Sequence, residues 1–139
     1  MQLLDKISLG FGRKIPTILQ TEATECGLAC IAMVAHFYGY ESDLLTLRRR
    51  FPVSQKGSNL NQLIKISNQL NLVTRPLKLD LEDLNQLKIP CILHWDFNHF
   101  VVLQEISGNK VTLLDPAFGK RVLTLDEVSE HFTGVALKK

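Results

Sequence analysis

A polar turn runs into an apolar helix in the segment Gln20-Thr21-Glu22-Ala23-Thr24-Glu25-Cys26-Gly27-Leu28-Ala29-Cys30. From Cys26 to Tyr38 nearly every residue is apolar or small, which predicts a helix that is buried on all sides. Thr24 is the predicted N-cap of this helix. Cys26 would then lie in its first turn, where the helix dipole and free N–H groups favour a thiolate. The segment therefore indicates a rigidly held thiol nucleophile.

Composition narrows the class of protein. The chain has 139 residues, of which 45% are hydrophobic and 22% charged, as expected for one globular domain with its own core. Its net charge of +2 is too weak to indicate nucleic-acid binding. Three cysteines do not form a disulfide framework, so we expect a reducing compartment, the cytoplasm.

The start of the chain does not resemble a targeting segment. Residues 1–14 mix apolar and charged residues too closely for the apolar core of a signal peptide. No stretch approaches the ~20 apolar residues of a membrane-spanning helix. We therefore expect an N-terminal extension over 1–14 and a soluble, monomeric domain over 15–139.

The two halves of the chain differ in hydrophobic period. Residues 24–71 read as helical, with Ser42 as a possible cap for a second helix and a third helix over 59–71. After Leu72 the pattern changes to strands, with one short helix over 81–88. The predicted strands are 73–79, 91–95, 99–106, 111–114 and 121–125. This order predicts an α+β fold, in which a helical half packs on a small antiparallel sheet.

Partners for the thiol are found in the sheet half. His99 opens one predicted strand and Asp115 closes the next, at similar distances from the turn at 107–109 that joins them. An imidazole and a carboxylate at the paired ends of a hairpin are able to meet, as a thiol protease requires. Gln20 lies six residues before Cys26, where its amide could stabilise an oxyanion together with backbone N–H groups.

These residues resemble a known family, the papain-like (C39-type) peptidase domain at the N-terminus of bacterial ABC transporters that export bacteriocins of the colicin V type. The resemblance covers nearly the whole chain. It is carried by five motifs: Ile15-Pro16-Thr17-Ile18-Leu19-Gln20, Cys26-Gly27-Leu28-Ala29-Cys30, Pro90-Cys91-Ile92-Leu93-His94-Trp95, Asn98-His99-Phe100-Val101-Val102-Leu103 and Asp115-Pro116-Ala117. It implies that Cys26 is the nucleophile, His99 the general base, Asp115 its orienting carboxylate and Gln20 the oxyanion donor.

The resemblance also implies a biological role. Such domains cut a leader from a precursor peptide after a Gly-Gly pair, at the cytoplasmic face of the bacterial inner membrane. The partners implied are that precursor and the membrane and ATP-binding domains of a homodimeric transporter. ATP and Mg belong to the nucleotide-binding part, and no cofactor is expected for this domain.

Several residues have both a functional and a structural interpretation. Trp95 and Phe97 are candidates for the walls of a narrow cleft that excludes side chains, although Trp95 is equally suited to a core. The leader would dock as an amphipathic helix, with 59–71 and 73–79 as candidate surfaces. Cys30 and Cys91 are expected to be structural, as is His94 unless it lines the cleft. The Arg48-Arg49-Arg50 run is expected to be a solvated helix end, or otherwise a docking site for an acidic segment.

Three other functions remain open on the sequence. Cys26, Cys30 and Cys91 with a histidine could bind a metal, but they lack the CxxC spacing of a zinc knuckle. The domain could dock a secreted substrate without cleaving it. The same triad could also transfer an acyl group to an acceptor other than water.

Overall fold

The computed structural model describes residues 15–41, 43–53 and 57–139. The expected N-terminal extension and the predicted cap Ser42 lie outside these residues. The helical half holds α1 (Cys26–Phe37), α2 (Leu44–Arg50) and α3 (Leu60–Gln69). None of the described helices is both long and apolar enough to span a membrane.

Helix α1 is buried on all sides from Cys26 to Ala35, as its uninterrupted apolar sequence predicts. It ends where Tyr38 forms the C-cap and Gly39 takes a φ of 93°, which a glycine adopts without steric cost. The prediction of Thr24 as N-cap is wrong. Glu25 occupies the cap position, and it makes no side-chain cap hydrogen bond to the helix.

The two shorter helices start at conventional caps. The Asp43 side chain accepts a hydrogen bond from Thr46 N at 2.7 Å, so Asp43 is the cap of α2 where the sequence suggested Ser42. Asn59 and Gln62 form a reciprocal capping box at the start of α3, which satisfies two otherwise free N–H groups.

The sheet half is a single six-stranded sheet in the order β1-β6-β2-β3-β4-β5, with every pair antiparallel. Its strands are β1 (Arg75–Lys78), β2 (Cys91–Trp95), β3 (His99–Ser107), β4 (Lys110–Asp115), β5 (Gly119–Thr124) and β6 (Phe132–Lys138). Strands β2 to β5 form the predicted meander. A 3₁₀ helix at Leu81–Gln86 follows β1.

Two elements near the C-terminus were not predicted. Helix α4 (Leu125–Ser129) starts at Thr124, which forms a capping box with Glu127. Strand β6 then inserts between β1 and β2. It contains Gly134 at a φ of 93°, and a glycine inside a strand weakens the local strand signal.

The sheet separates two hydrophobic cores. Helix α1 packs chiefly on β3, and Ile92, Phe100 and Val102 join it in the first core. The second core covers the opposite face and is built on β2 by Cys91, Leu93 and Trp95. The described residues therefore form the predicted α+β architecture, with the buried α1 between the other helices of the helical half and the sheet.

Candidate active site

The thiol, the imidazole and the carboxylate all come from the ends of secondary-structure elements. Cys26 is the first residue of α1, His99 is the first residue of β3 and Asp115 is the last residue of β4. Strand pairing aligns Val102 with Leu114, which brings the start of β3 to the end of β4. Because α1 packs on β3, the thiol meets the same corner of the sheet.

His99 is held by Asp115 on one side. Its Nε2 lies 2.7 Å from Asp115 Oδ1, and the nearby Cys26 thiol also acts to raise the pKa of the imidazole. With Nε2 engaged by the carboxylate, Nδ1 is the ring nitrogen that is left for the thiol. The His99 side chain is 19% exposed and Asp115 only 2%, so the imidazole is partly open to solvent and the carboxylate is not.

Burial alone would lower the pKa of His99, but its interactions with Asp115 and Cys26 outweigh burial and raise the pKa to about 9. Burial would likewise raise the pKa of Asp115, yet the hydrogen bonds from His99 and from Ala117 N, the latter at 2.9 Å, keep it below its usual value. Arg121 Nη1 adds a positive charge 3.5 Å from Asp115 Oδ2. The carboxylate therefore stays ionised, and the imidazolium form is favoured at neutral pH.

Gln20 is tied to the sheet through its backbone. Its N–H donates to Pro116 O at 2.9 Å, directly after Asp115. Its side-chain Nε2 donates to Ala23 O at 3.4 Å, while Oε1 is buried and has no hydrogen-bond partner in the described part of the chain. This weakly bonded carboxamide on the segment that leads to Cys26 leaves donor capacity for a bound oxyanion.

The start of α1 offers a second source of donors. Since no side chain caps this helix, its first backbone N–H groups are not occupied by a capping oxygen. The macrodipole places partial positive charge at the same point. A developing oxyanion beside Cys26 would meet both effects.

The other two thiols are separate from this chemistry. Burial raises the pKa of Cys30 well above its ordinary value and raises the pKa of Cys91 to about 12. Cys91 lies in the second core, across the sheet from Cys26 and Cys30, so the three thiols do not converge as a metal site would require. Among the described residues there is no cluster of three or more metal-ligating side chains.

The turn before His99 forms one side of a cleft of about 610 Å³. Phe97 is 84% exposed and lines it, as does His94, whose Nε2 donates to Phe97 O at 2.9 Å. The cleft is lined by residues of the β2–β3 turn, the start of α3 and β6: Gly57, Ser58, Asn59, Leu60, Gln62, His94, Phe97, Asn98, Phe100 and Val135. Its lining includes Asn98 and Phe100, the two sequence neighbours of His99.

Trp95 does not line this cleft. It is 1% exposed, belongs to the second core and stacks on His131 with ring centroids 5.2 Å apart. The reason is strand alternation, since Cys91, Leu93 and Trp95 share the face of β2 opposite to His94. The suggestion of a cleft wall at Trp95 is therefore replaced by its core interpretation.

The sequence did not reveal the role of Glu25 and Arg48. Glu25 is 2% exposed and pairs with the partly exposed Arg48 through Nε and Nη2. Arg48 therefore makes an ion pair within the protein, whereas Arg49 and Arg50 are exposed, as expected for a solvated helix end. Arg50 is also engaged, by Tyr40 Oη at 3.0 Å. The only sign of this pair in the sequence is the acidic Glu25 directly before a fully apolar helix.

Comparison with known proteins gives a consistent result. The model of the Peptidase C39 family matches residues 14–138. The chain is 48% identical to the probable microcin-H47 secretion/processing ATP-binding protein MchF and 47% identical to the colicin V secretion/processing ATP-binding protein CvaB, both of Escherichia coli. Each match covers 99% of this chain but only 20% of the relative.

A solved structure is similar over most of its length. It is the double glycine motif protease from an AMS/PCAT transporter, in complex with the leader peptide. The two chains share 37% identity and a TM-score of 0.85, with 91% of each chain covered.

Proposed function

We propose that this chain, which belongs to the peptidase C39 family, is a cysteine endopeptidase that removes a leader from a precursor peptide by cutting after a Gly-Gly pair. The observation that carries the proposal is the 2.7 Å contact of His99 Nε2 with Asp115 Oδ1, on an imidazole whose pKa is also raised by the Cys26 thiol. Thiol-protease chemistry requires a thiol beside a base, and a carboxylate that orients the base.

In the first step the Cys26 thiolate attacks the carbonyl carbon of the second glycine, with the thiol proton held on His99. The oxyanion that forms is stabilised by the Gln20 amide and by backbone N–H groups at the start of α1. The imidazolium then gives its proton to the leaving amine, and the released product carries a new N-terminus. Asp115 keeps the ring oriented and stabilises its charge throughout.

In the second step His99 removes a proton from water, which attacks the thioester on Cys26. The thiolate leaves, and the leader departs with a free carboxylate at its second glycine. The high pKa of His99 favours the proton-donating form needed in the first step. No metal or other cofactor has a role in this scheme.

The Gly-Gly preference is supported by similarity. The related protease of 37% identity is described as a double glycine motif protease and was solved with a leader peptide. A physical reason would be a cleft near the thiol that is too narrow for side chains, so that residues larger than glycine are rejected by clashes. Replacing both substrate glycines by alanine should then abolish cleavage, and unchanged rates would contradict the narrow cleft.

The wider setting is also a proposal. The relatives are named as secretion/processing ATP-binding proteins, and this chain spans 20% of their length. We propose that the domain works within a homodimeric ABC transporter at the cytoplasmic face of the bacterial inner membrane, which exports the processed bacteriocin. ATP and Mg would bind to the transporter's nucleotide-binding part.

The direct test is incubation of the purified chain with a synthetic precursor that contains a Gly-Gly leader, followed by mass spectrometry. We expect two products separated directly after the second glycine, and no cleavage by a Cys26→Ala variant. Cys30→Ala is the matched control, because it removes a buried thiol one turn further along α1 and should still cleave. Leader binding without cleavage by the unmodified chain would instead indicate a silent docking domain. A product mass that shows a transferred acyl group would indicate an acyltransferase.

A further inference from the structure

A buried carboxylate lies directly before the nucleophile. Glu25 is 2% exposed, and a buried charge is costly unless its oxygens are satisfied. Oε1 accepts from Thr21 N at 3.1 Å, from Thr21 Oγ1 at 2.9 Å and from Glu22 N at 3.0 Å. Arg48 completes the set from α2, with Nη2 donating to Oε1 at 3.1 Å and Nε donating to Oε2.

The direction of these bonds separates Glu25 from a helix cap. A cap oxygen accepts from N–H groups further along its helix, but the Glu25 side chain turns back to Thr21 and Glu22. The Glu25 N–H also donates to Glu22 O at 3.1 Å. Residues 21–25 are thereby closed into one turn, and the first N–H groups of α1 are left uncapped.

The backbone around Gln20 is held at two points. The Gln20 N–H donates to Pro116 O, and the next residue, Thr21, is held by the Glu25 carboxylate. The turn therefore spans from the proposed oxyanion donor to the proposed nucleophile with little freedom in between. A shift of about 1 Å in such a segment is enough to lower a catalytic rate strongly.

Arg48 is the counter-ion of this turn. Its guanidinium neutralises the buried Glu25 carboxylate, which lies directly before Cys26. Arg48 Nη2 also donates to Thr21 Oγ1, so one fork ties the carboxylate and the turn together. Burial alone would raise the pKa of Glu25, but the bonds from Arg48, Glu22 and Thr21 outweigh it and lower the pKa to about 2.

We propose that Glu25 is a positioning residue for the peptidase reaction, which holds the Gln20–Cys26 segment in the geometry that stabilises the oxyanion, with Arg48 as its counter-ion. This inference rests on the proposed function, in which Gln20 and Cys26 act on the substrate. It assigns a role to the buried Glu25 carboxylate and its ion pair with the partly exposed Arg48, since the hydrogen bonds of Glu25 are not those of a helix cap.

A double-mutant cycle tests this role, using cleavage of the synthetic Gly-Gly precursor by Glu25→Gln, Gln20→Ala and the double variant. We expect kcat to fall on the order of 100-fold for Gln20→Ala and about 10- to 100-fold for Glu25→Gln, with KM within about twofold for both. Because Glu25 acts through Gln20, the double variant should be no more than about threefold worse than the poorer single variant.

Two controls separate positioning from general damage. Alkylation of Cys26 by iodoacetamide needs the thiolate but no oxyanion donor, so its rate in Glu25→Gln should stay within about twofold of the unmodified chain. Val111→Ala, which opens a cavity in the second core across the sheet, should lose stability while kcat is retained.

Each outcome has a defined meaning. Losses that multiply in the double variant, an unchanged kcat in Glu25→Gln, or an alkylation rate that falls in step with kcat would overturn the positioning role while leaving the proposed function intact. Failure of the unmodified chain to cleave, or cleavage that persists in Cys26→Ala, would overturn the proposed function and this inference with it.

Discussion

The two sides of the candidate site are held in place by different means. The helical side, residues 20–26 with Arg48, depends mainly on a side chain, because the buried Glu25 carboxylate accepts hydrogen bonds from the turn and from Arg48. The sheet side, His99 and Asp115, depends on the backbone, because the β3–β4 register brings the two residues together. A register is set by many ladder bonds at once, whereas in the turn the hydrogen bonds from Thr21, Glu22 and Arg48 all converge on the one carboxylate of Glu25.

This difference predicts different consequences of mutation. On the sheet side the backbone should keep its place when a side chain is changed, so the effect should be chemical. On the helical side a changed side chain should release the turn, so the effect should be geometric. Experiments that separate the two kinds of loss therefore test the comparison directly.

The largest effect is expected for Asp115→Asn. The amide keeps the shape but removes the negative charge beside His99, so the imidazolium loses its stabilisation and kcat should fall on the order of 10³-fold. The pKa of His99 should move from about 9 back toward its ordinary value of 6.5. The measurements are kcat on the Gly-Gly precursor and the pH dependence of Cys26 alkylation.

Arg121→Gln is the matched control for that experiment. Arg121 lies 3.5 Å from Asp115 Oδ2 and its side chain is 34% exposed, so its charge is screened by solvent and kcat should change by no more than a few-fold. A similar loss in both variants would mean that the local field, and not the contact of Asp115 with His99, is responsible.

A smaller effect, on stability, is expected from acid. The folded pKa of Glu25 is about 2 against an ordinary 4.5, so its stabilisation is fully present above pH 4.5 and is lost as the pH falls toward 2. For a shift of this size the contribution is about 2 to 3 kcal/mol, after allowance for the partly exposed Arg48. Urea unfolding should show that gap between the unmodified chain and Glu25→Gln at pH 7, and a much smaller gap at pH 2.5.

The contribution of His99 on the sheet side should be lost at the opposite end of the pH scale. Since the pKa of His99 is raised from 6.5 to about 9, its stabilising contribution is complete below pH 6.5 and is lost as the pH rises through 9. For Glu25, the result that would contradict the prediction is a difference in unfolding free energy between the unmodified chain and Glu25→Gln that is equal at pH 2.5 and pH 7. The loss of stability in acid could then not be assigned to Glu25.

The sequence predicted the sheet side better than the helical side. Residues at the ends of two consecutive strands are brought together by any regular hairpin, so the spacing of His99 and Asp115 around the turn at 107–109 was informative. The juxtaposition follows from period-two alternation and turn signals alone. The apolar run of α1 was equally informative, and its burial is confirmed from Cys26 to Ala35, although His36, Phe37 and Tyr38 are only half-buried.

The hydrogen bonds of the helical side could not be predicted from the sequence, because the partner of Glu25 is distant along the chain. Arg48 lies 23 residues after Glu25, and no local rule pairs a residue before one helix with the end of another. Propensity indicated Thr24 as the cap of α1, but the tertiary contact of Glu25 decided the start of the helix. Strand β6 was missed for the same reason, since its place between β1 and β2 is set by long-range pairing.

The smallest effect is expected at the rim of the cleft, which belongs to neither the helical side nor the sheet side of the site. Phe97 has a φ of 64°, a strained conformation for a large side chain, although its ring is 84% exposed. Phe97→Gly removes the strain and adds freedom to the unfolded chain, so the net change in stability should stay within about 0.5 kcal/mol. If the ring borders the substrate, kcat/KM should still fall about three- to tenfold. Val122→Ala, at a position on β5 that is 56% exposed and outside the cleft lining, should change neither stability nor kcat/KM. An unchanged kcat/KM in Phe97→Gly would mean that the Phe97 ring does not contact the substrate, although it lines the cleft.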